Sequence, residues 1–312
     1  MSVYSKESME IQKFAAFVMT YERPAQVIQT IAKLLSQTFP PTEVLIVDNS
    51  NSFETKRAIE NLMDYRISYH RMGYNAGPAG AASVGLSMMA DKGYDWIFWG
   101  DDDDPPPYPD TFENLFKIIL ERTDDQIGVI GSLGGKLNRR TGRTTNFSNK
   151  ELSRIVEADY VPGNKMMIVN SAVVKLGVLP TERLFFGFEE LDFCLKVQKV
   201  GFKILFDGRG ILAQRTAAGN IAADYRWRGK AIGDERKLWR QYYSTRNMLI
   251  ILRTNGFWIA VIFILFRTVI KSVYGFRFGW TYGRKHFRIQ FLAMSHFLSN
   301  RLGSSDLNRI LA

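Results

Sequence analysis

The chain has 312 residues, 46% of them hydrophobic, and 41 Lys and Arg against 31 Asp and Glu give it a net charge of +10. That length and apolar content mark a globular protein with room for one large domain and an appendage. The single cysteine, Cys194, excludes an internal disulfide and fits a reducing compartment. The basic excess comes without an aromatic RNA-binding signature, zinc-finger spacing or basic zipper, so nucleic acid is not expected as a partner.

The polar opening Met1–Lys13 lacks the apolar core of a secretion signal, which places the chain on the cytoplasmic side. Phe14–Met19 has strand length and stops at Thr20-Tyr21-Glu22-Arg23-Pro24. From Ala25 to Gln37, Val27, Ile31, Leu34 and Leu35 recur at helical spacing, and Pro24 suits a first turn. Val44–Val47 is a second strand, ending at Asp48. Strands alternating with helices through short connections imply a parallel sheet with right-handed crossovers, in which ligands bind beyond the carboxyl ends of the strands. Asn75–Ala82 is Gly-rich and leads into a helical pattern; its small residues let a backbone or a phosphate approach closely. The spacing is neither GxGxxG nor a P-loop, which removes nicotinamide enzymes and P-loop nucleotidases.

Trp96–Trp99 reads as a buried strand that delivers Asp101, Asp102, Asp103 and Asp104 to the sheet edge, where three prolines force an extended exit. Four adjacent carboxylates repel one another unless a cation binds, and oxygen ligands of this kind suit Mg²⁺ or Mn²⁺ shared with substrate phosphates. Thr111–Leu120 reads as a helix, Ile127–Gly131 as a strand, and the basic stretch Lys136–Ser153, with Arg139, Arg140 and Arg143, as a mobile loop. Tyr160–Asn164 and Met166–Val169 resume the sheet, followed by a helix over Ser171–Leu176. In Leu184–Lys196, Glu189, Glu190 and Asp192 interrupt an aromatic run and head a helix whose Leu191, Leu195 and Val197 face inward. Two acid clusters imply a division of labour: one holds a metal, the other does proton chemistry, its pKa raised by the aromatic setting. His70, His286 and His296 lie far from both in sequence and read as structural.

Gly256–Phe266 is the most apolar run, and its eleven residues fall short of the roughly 20 that span a bilayer. Arg253, Arg267, Lys271, Arg277, Arg284, Lys285 and Arg288 flank it, interleaved with Tyr274, Trp280 and Tyr282. This composition suits a helix lying on an anionic leaflet. A buried helix closing the domain, or a homo-oligomer interface, is the alternative. The expected division is a catalytic domain over 1–252 and a basic, apolar helical region over 253–312.

Taken together, Thr20-x-x-Arg23-Pro24, Val47-Asp48-Asn49, Asn75-x-Gly77-x-x-Gly80, the Asp101-x-Asp103 motif, Phe185-Phe186-x-x-Glu189-Glu190-x-Asp192 and Tyr242-Tyr243-x-x-Arg246-Asn247 give the chain a specific likeness. It resembles the inverting family 2 glycosyltransferases, especially galactofuranosyl- and rhamnosyltransferases, from about Phe14 to Leu252. The resemblance implies an α/β fold of the GT-A type: a Rossmann-like, mostly parallel sheet flanked by helices, here with a C-terminal helical extension. It implies that Thr20, Glu22, Arg23, Asp48 and Asn75 bind a UDP- or dTDP-linked sugar, that Asp101 and Asp102 contact ribose and sugar, and that Asp103 with Asp101 ligates Mg²⁺ or Mn²⁺. Glu190 would be the base that deprotonates the acceptor hydroxyl, supported by Glu189 and Asp192. The acceptor would be a lipid-linked surface glycan of the O-antigen, cell-wall or capsule type, and the enzyme peripheral on the inner face of the cell membrane. Many relatives carry a metal-ligating His after the second acid cluster; Gly210–Thr216 has none, leaving Gln214 or water to fill the place or Arg215 to offset phosphate charge. A sugar nucleotidyltransferase and a non-catalytic sugar-nucleotide-binding protein are the alternative readings.

Overall fold

The computed structural model describes residues 13–122, 126–152, 154–163, 165–217, 219 and 234–307. The opening before Lys13 and the position of Asn164 lie outside these residues. In chain order the elements are β1 (Phe14–Thr20), α1 (Pro24–Leu35), β2 (Val44–Asp48), α2 (Glu54–Glu60), β3 (Ile67–Arg71), α3 (Gly77–Asp91), β4 (Trp96–Asp101), α4 (Thr111–Glu121) and β5 (Ile127–Gly131). Then come β6 (Gly135–Leu137), β7 (Thr144–Asn146), β8 (Ile155–Glu157), β9 (Met167–Asn170), α5 (Ser171–Lys175), α6 (Glu189–Lys199), β10 (Lys203–Asp207) and α7 (Gly208–Ala217). Three long helices follow: α8 (Leu238–Thr254), α9 (Trp258–Tyr274) and α10 (Trp280–Leu298).

An eight-stranded sheet has the order β3-β2-β1-β4-β9-β5-β10-β8. Its first four strands are parallel, β9 runs antiparallel to both β4 and β5, β10 is parallel to β5, and β8 is an antiparallel edge. The strands between the edges β3 and β8 are buried on both faces, so most read as continuous apolar runs while their side chains alternate between two cores. Phe17, Leu45, Ile97, Trp99 and Val169 pack with α3, α5 and α6. Phe14, Val18, Ile46, Phe98 and Ile168 pack with α1, α2 and α4 on the other side. The register aligns Thr20 with Asp48, and Met19 with Asp101, so the strand ends that carry polar residues open at one edge.

Two expectations give way here. The basic stretch after Lys136 is largely a hairpin, β6 paired with β7, rather than a mobile loop. Its turn is fixed locally: the Asn138 side chain accepts from the amides of Arg140 and Thr141, both at 3.0 Å. Gly142, at φ 63°, presses on the C-terminal helices so closely that a Cβ would lie 2.7 Å from Leu252. The apolar run is also longer than eleven residues, because helical periodicity carries it through Arg267 and Lys271 on one flank. Trp258–Phe278 is a 21-residue helical stretch whose most apolar 18-residue window has a mean hydropathy of 1.8 and is one third buried, long and apolar enough by length and composition to cross a membrane. Ala260, Val261 and Ile264 of α9 join Leu249 and Leu252 of α8, Phe297 of α10 and Leu191 and Leu195 of α6 in one core, so the C-terminal helices rest on the helix that carries the second acid cluster.

Candidate active site

The loops after β1, β2 and β4 meet through hydrogen bonds. Thr20 Oγ1 donates to Asp102 Oδ2 at 2.7 Å, and Arg23 Nη1 donates to Asp102 Oδ1 at 3.1 Å and to Asp103 Oδ2 at 2.8 Å. Thr30 Oγ1 of α1 donates to the Asp102 carbonyl at 2.6 Å. Asp102 is therefore a buried bracket, while Arg23 and Asp103 remain more than half exposed.

Several residues expected to touch a ligand also hold loops. Asp48, fully buried, accepts from the Ser50 amide at 2.8 Å and from the Tyr69 hydroxyl at 2.7 Å. Glu22 accepts from the amides of Asn51 at 2.8 Å and Ser52 at 3.0 Å, and from the Ser52 hydroxyl at 2.5 Å, stapling the first loop to the second. Asn75 Oδ1 accepts from the Gly77 amide at 3.0 Å and shapes the start of α3. The Gly-rich start admits a backbone, not a phosphate: a Cβ on Gly77 would lie 2.1 Å from the Phe185 carbonyl oxygen, to which the Ala79 amide donates at 3.3 Å.

That contact holds the aromatic loop Phe185–Phe188 against the start of α3. Phe185 and Phe188 have φ of 66° and 69°, a strained conformation for non-glycine residues that places Glu189 and Glu190 at the first two positions of α6. The two acid clusters then sense each other. Burial, reinforced first by the charge of Glu190 and then by its Asp neighbours, pushes Asp101 up to about 7. Burial pushes Glu190 up to about 7 as well, and Glu189 well above the carboxylate range with Glu190 adding to it. Glu189 is 6% exposed with Oε2 lacking a hydrogen-bond partner, whereas Glu190 keeps an open side. Gly163 makes room for it, since a Cβ there would sit 2.0 Å from Glu190 Oε1. Asp192 lies on the other side of α6, taking the Thr181 amide at 2.8 Å and Lys196 at 2.7 Å, so it steadies the preceding loop without facing Glu190.

Beneath the aromatic loop lies a strut that the sequence showed only as a motif. Arg246, with 0% exposure, donates to the carbonyls of Leu184 at 2.9 Å and Gly303 at 2.8 Å. Asn247 donates to the carbonyls of Leu184, Phe186 and Gly187 at 3.0, 2.8 and 2.9 Å. Of the two residues considered as a substitute for a metal-ligating His, Arg215 is engaged with the Phe147 carbonyl and Asn149, and Gln214 lines a cleft with residues of α4.

Among the described residues no three His, Cys, Asp or Glu side chains form a ready cation cage. The donor set nevertheless fits an ion that draws its remaining ligands from phosphate and water. Asp101 resists ionisation because it is buried and like charges crowd it, Asp104 Oδ2 is buried without a partner, and Asp103 faces solvent at the same edge.

The family description "Glycosyl transferase family 2" matches residues 16–172. A GalNAc(5)-diNAcBac-PP-undecaprenol beta-1,3-glucosyltransferase of Campylobacter jejuni is 30% identical over 156 residues, 48% of this chain and 47% of that protein, so the match spans less than half of that relative. The mannosyltransferase PcManGT of Pyrobaculum calidifontis, solved with GDP-Man and Mn²⁺, superposes with a TM-score of 0.53 at 12% identity over 93% of this chain and 88% of that one. TarS 1–349 of S. aureus, solved with UDP, superposes with a TM-score of 0.51 at 16% identity over 93% of this chain and 89% of the other. At these identities the two structures show a shared fold, the GT-A arrangement.

Two outcomes are expected from this geometry. Asn247→Ala leaves the carbonyls of Phe186 and Gly187 without their donor, while that of Leu184 keeps Arg246, and should lower unfolding stability by on the order of 2–4 kcal/mol; a urea midpoint equal to wild type would show that Asn247 is not a strut. Glu189 keeps its proton in the fold above the ordinary value of 4.5, so as pH rises past that value the unfolded chain releases a proton the native state retains, and stability falls. Glu189→Gln abolishes that slope, and its stability gain over wild type, measured by urea at pH 5 and pH 8, should be larger at pH 8.

Proposed function

The chain belongs to glycosyl transferase family 2, and from that premise we propose that it is a metal-assisted inverting enzyme. It moves a hexosyl unit from a nucleotide-diphosphate sugar, UDP-linked, to a hydroxyl of a lipid-linked glycan. The observation that supports this reading is that Asp101, at the end of β4, feels the charge of Glu190, at the head of α6, so carboxylates of both acid clusters border one crevice. Asp103 and Asp101 would hold Mg²⁺ or Mn²⁺, and that ion, when bound, offsets charge on the departing nucleoside diphosphate. Arg23 and Asn75, both exposed at the rim, are the donor contacts; Thr20, Asp48, Asp102 and Glu22 fix the loops that present them.

Glu190 takes the proton from the acceptor hydroxyl as the hydroxyl oxygen bonds to the anomeric carbon from the face opposite the diphosphate, which inverts configuration. A pKa near 7 suits a base working at neutral pH. Glu189, buried and with its pKa held well above the ordinary value, limits the charge beside it. The motif set favours galactofuranosyl or rhamnosyl as the sugar, and the Campylobacter relative adds glucosyl to the donor screen.

The membrane enters through α9. Ile262, Phe266, Ile270 and Val273 are each more than half exposed and lie along one stripe of the helix, with Trp258 and Tyr274 at its ends. We assign this stripe to the inner leaflet of the cell membrane, where the enzyme sits peripherally.

Turnover should rise with pH through about 7 as Glu190 ionises, and Glu190→Gln should lower kcat by about 10² or more while UDP binding persists. Retained turnover in Glu190→Gln, with Glu189→Gln inactive and folded, would exchange their roles. Replacing Ile262, Phe266 and Val273 with Ser should abolish co-sedimentation with phosphatidylglycerol vesicles at an unchanged melting temperature. If sedimentation persists while a dimer becomes a monomer, the stripe is a homo-oligomer contact instead.

A further inference from the structure

A cavity of about 740 Å³ opens beside the N-terminus of α6, between the β6–β7 hairpin and helices α8, α9 and α10. Three cations line it, Arg143 from the hairpin and Arg267 and Lys271 from successive turns of α9, and no Asp or Glu does. Among the described residues none of the three pairs with a carboxylate. They instead repel one another: burial and then the charge of Arg143 depress Arg267, and burial followed by the charges of Arg267 and Arg143 depresses Lys271. Like charges gathered in a partly desolvated pocket oppose folding, and an anion bound between them removes the opposition. The rest of the lining is polar, with Ser244, Gln241 and Gln290 available to a hydroxylated ligand.

The position of the cavity says which anion. Phe188, on its wall, directly precedes Glu189 and Glu190. Thr144, also on the wall, hydrogen-bonds Tyr160, a residue that senses the charge of Glu190. The acid end of the crevice, with its metal carboxylates, serves the donor, so a cationic pocket next to the base lies on the acceptor side. On the wheel of α9, Arg267 and Lys271 sit between the buried side and the exposed apolar stripe, so the cavity adjoins the surface assigned to lipid.

We propose that this cavity is a diphosphate-binding acceptor subsite, in which Arg143, Arg267 and Lys271 hold the phosphates of a lipid-diphosphate-linked glycan while its hydrocarbon chain leaves along the stripe of α9. The proposal rests on the reading of the chain as a transferase to a lipid-linked acceptor. It also bounds the acceptor. Phosphates and reacting hydroxyl share the neighbourhood of one cavity of small-molecule size, so the glycan between them is short.

The test uses the full chain and farnesyl diphosphate as a soluble probe, titrated by calorimetry in EDTA with UDP at saturation. Wild type should bind it, and an Arg267→Gln, Lys271→Gln double variant should bind at least tenfold more weakly, with its affinity for UDP and Mn²⁺ unchanged. Loss of like-charge repulsion should leave the melting temperature of this variant no lower than wild type. Arg143→Gln, on a separate element, should weaken the probe severalfold and decides the matter if the double variant aggregates. Equal affinity in wild type and variants, or displacement of the probe by UDP, overturns the assignment. So does a variant that keeps farnesyl diphosphate but loses phosphatidylglycerol vesicles, because the cations would then serve a membrane headgroup. In transfer assays the KM for a glycosyl diphospholipid should rise at least tenfold in the double variant, and the difference in KM should vanish with an alkyl glycoside lacking phosphate. Probe binding without transfer from any nucleotide sugar would sink the enzymatic reading and leave the subsite; transfer to a diphospholipid with KM unmoved would do the reverse.

Discussion

The geometry of the base side depends on a buried cation that has no carboxylate partner among the described residues. Arg246 is fully enclosed, and its guanidinium is met by the carbonyls of Leu184 and Gly303, the Tyr242 hydroxyl at 3.2 Å and the side-chain oxygen of Asn247 at 3.0 Å. Isolated burial of such a charge costs several kcal/mol, so the arrangement persists only because every partner is in place. Asn247 then takes three carbonyls of the same loop. A loop with two non-glycine residues at positive φ would relax if released; clamped from below by α8 and from the side by the start of α3, it holds Glu189 and Glu190 at the crevice. Tyr242 is paired in turn with His296 and Ser305, which ties α10 and the chain beyond it into the same support.

Charge at the head of α6 is decided by competing effects of unequal size. A helix N-terminus favours a carboxylate by about 0.3–1 kcal/mol, which would lower its pKa. Burial behind the aromatic loop acts the other way and prevails, leaving Glu190 near 7. Burial displaces both carboxyls upward, Glu189 with the charges of Glu190 and Asp101 added, and the less enclosed Glu190, near 7, is within reach of ionisation at neutral pH. An enclosed neighbour that resists ionisation lets Glu190 act as a base with less negative charge beside it.

Much of this was legible in the sequence because it rests on local patterns. Phe14–Met19, Val44–Val47 and Trp96–Trp99 are apolar runs of strand length ending in polar residues, and the structure extends these strands to Thr20, Asp48 and Asp101. Ile67–Arg71 and Lys203–Asp207 are strands that mix charged with apolar residues, and no apolar run announces them. The hairpin after Lys136 was hidden by its basic composition, since Asn138 and Gly142 form the turn and contacts with distant α8 and α9 hold it there. At the crevice, residue type and position were readable but orientation was not. Asp48 and Glu22 sit at strand ends as a ligand-binding residue would, yet backbone amides within reach satisfy them first. Gly163 carried no signal, because its role is only to leave space that Glu190 fills.

Helix α9 shows how one element reconciles demands that compete in its sequence. A stretch of 21 residues with the hydropathy of a membrane span would be free to insert if it were apolar all round. Here Ala260, Val261, Ile264, Thr268 and Ser272 are buried against the protein, and Arg267 and Lys271 face the cavity, which leaves a narrower apolar sector outside. Carrying that sector into a bilayer core as an isolated helix would also carry two cations with it, at about 2.5–3.5 kcal/mol each near the centre, and would strip the packed face from α8 and α10. Lying in the headgroup region retains the internal packing and buries only the sector that is already exposed, while the cations remain in the aqueous cavity. Composition alone is compatible with either placement; the angular position of Arg267 and Lys271 favours the surface.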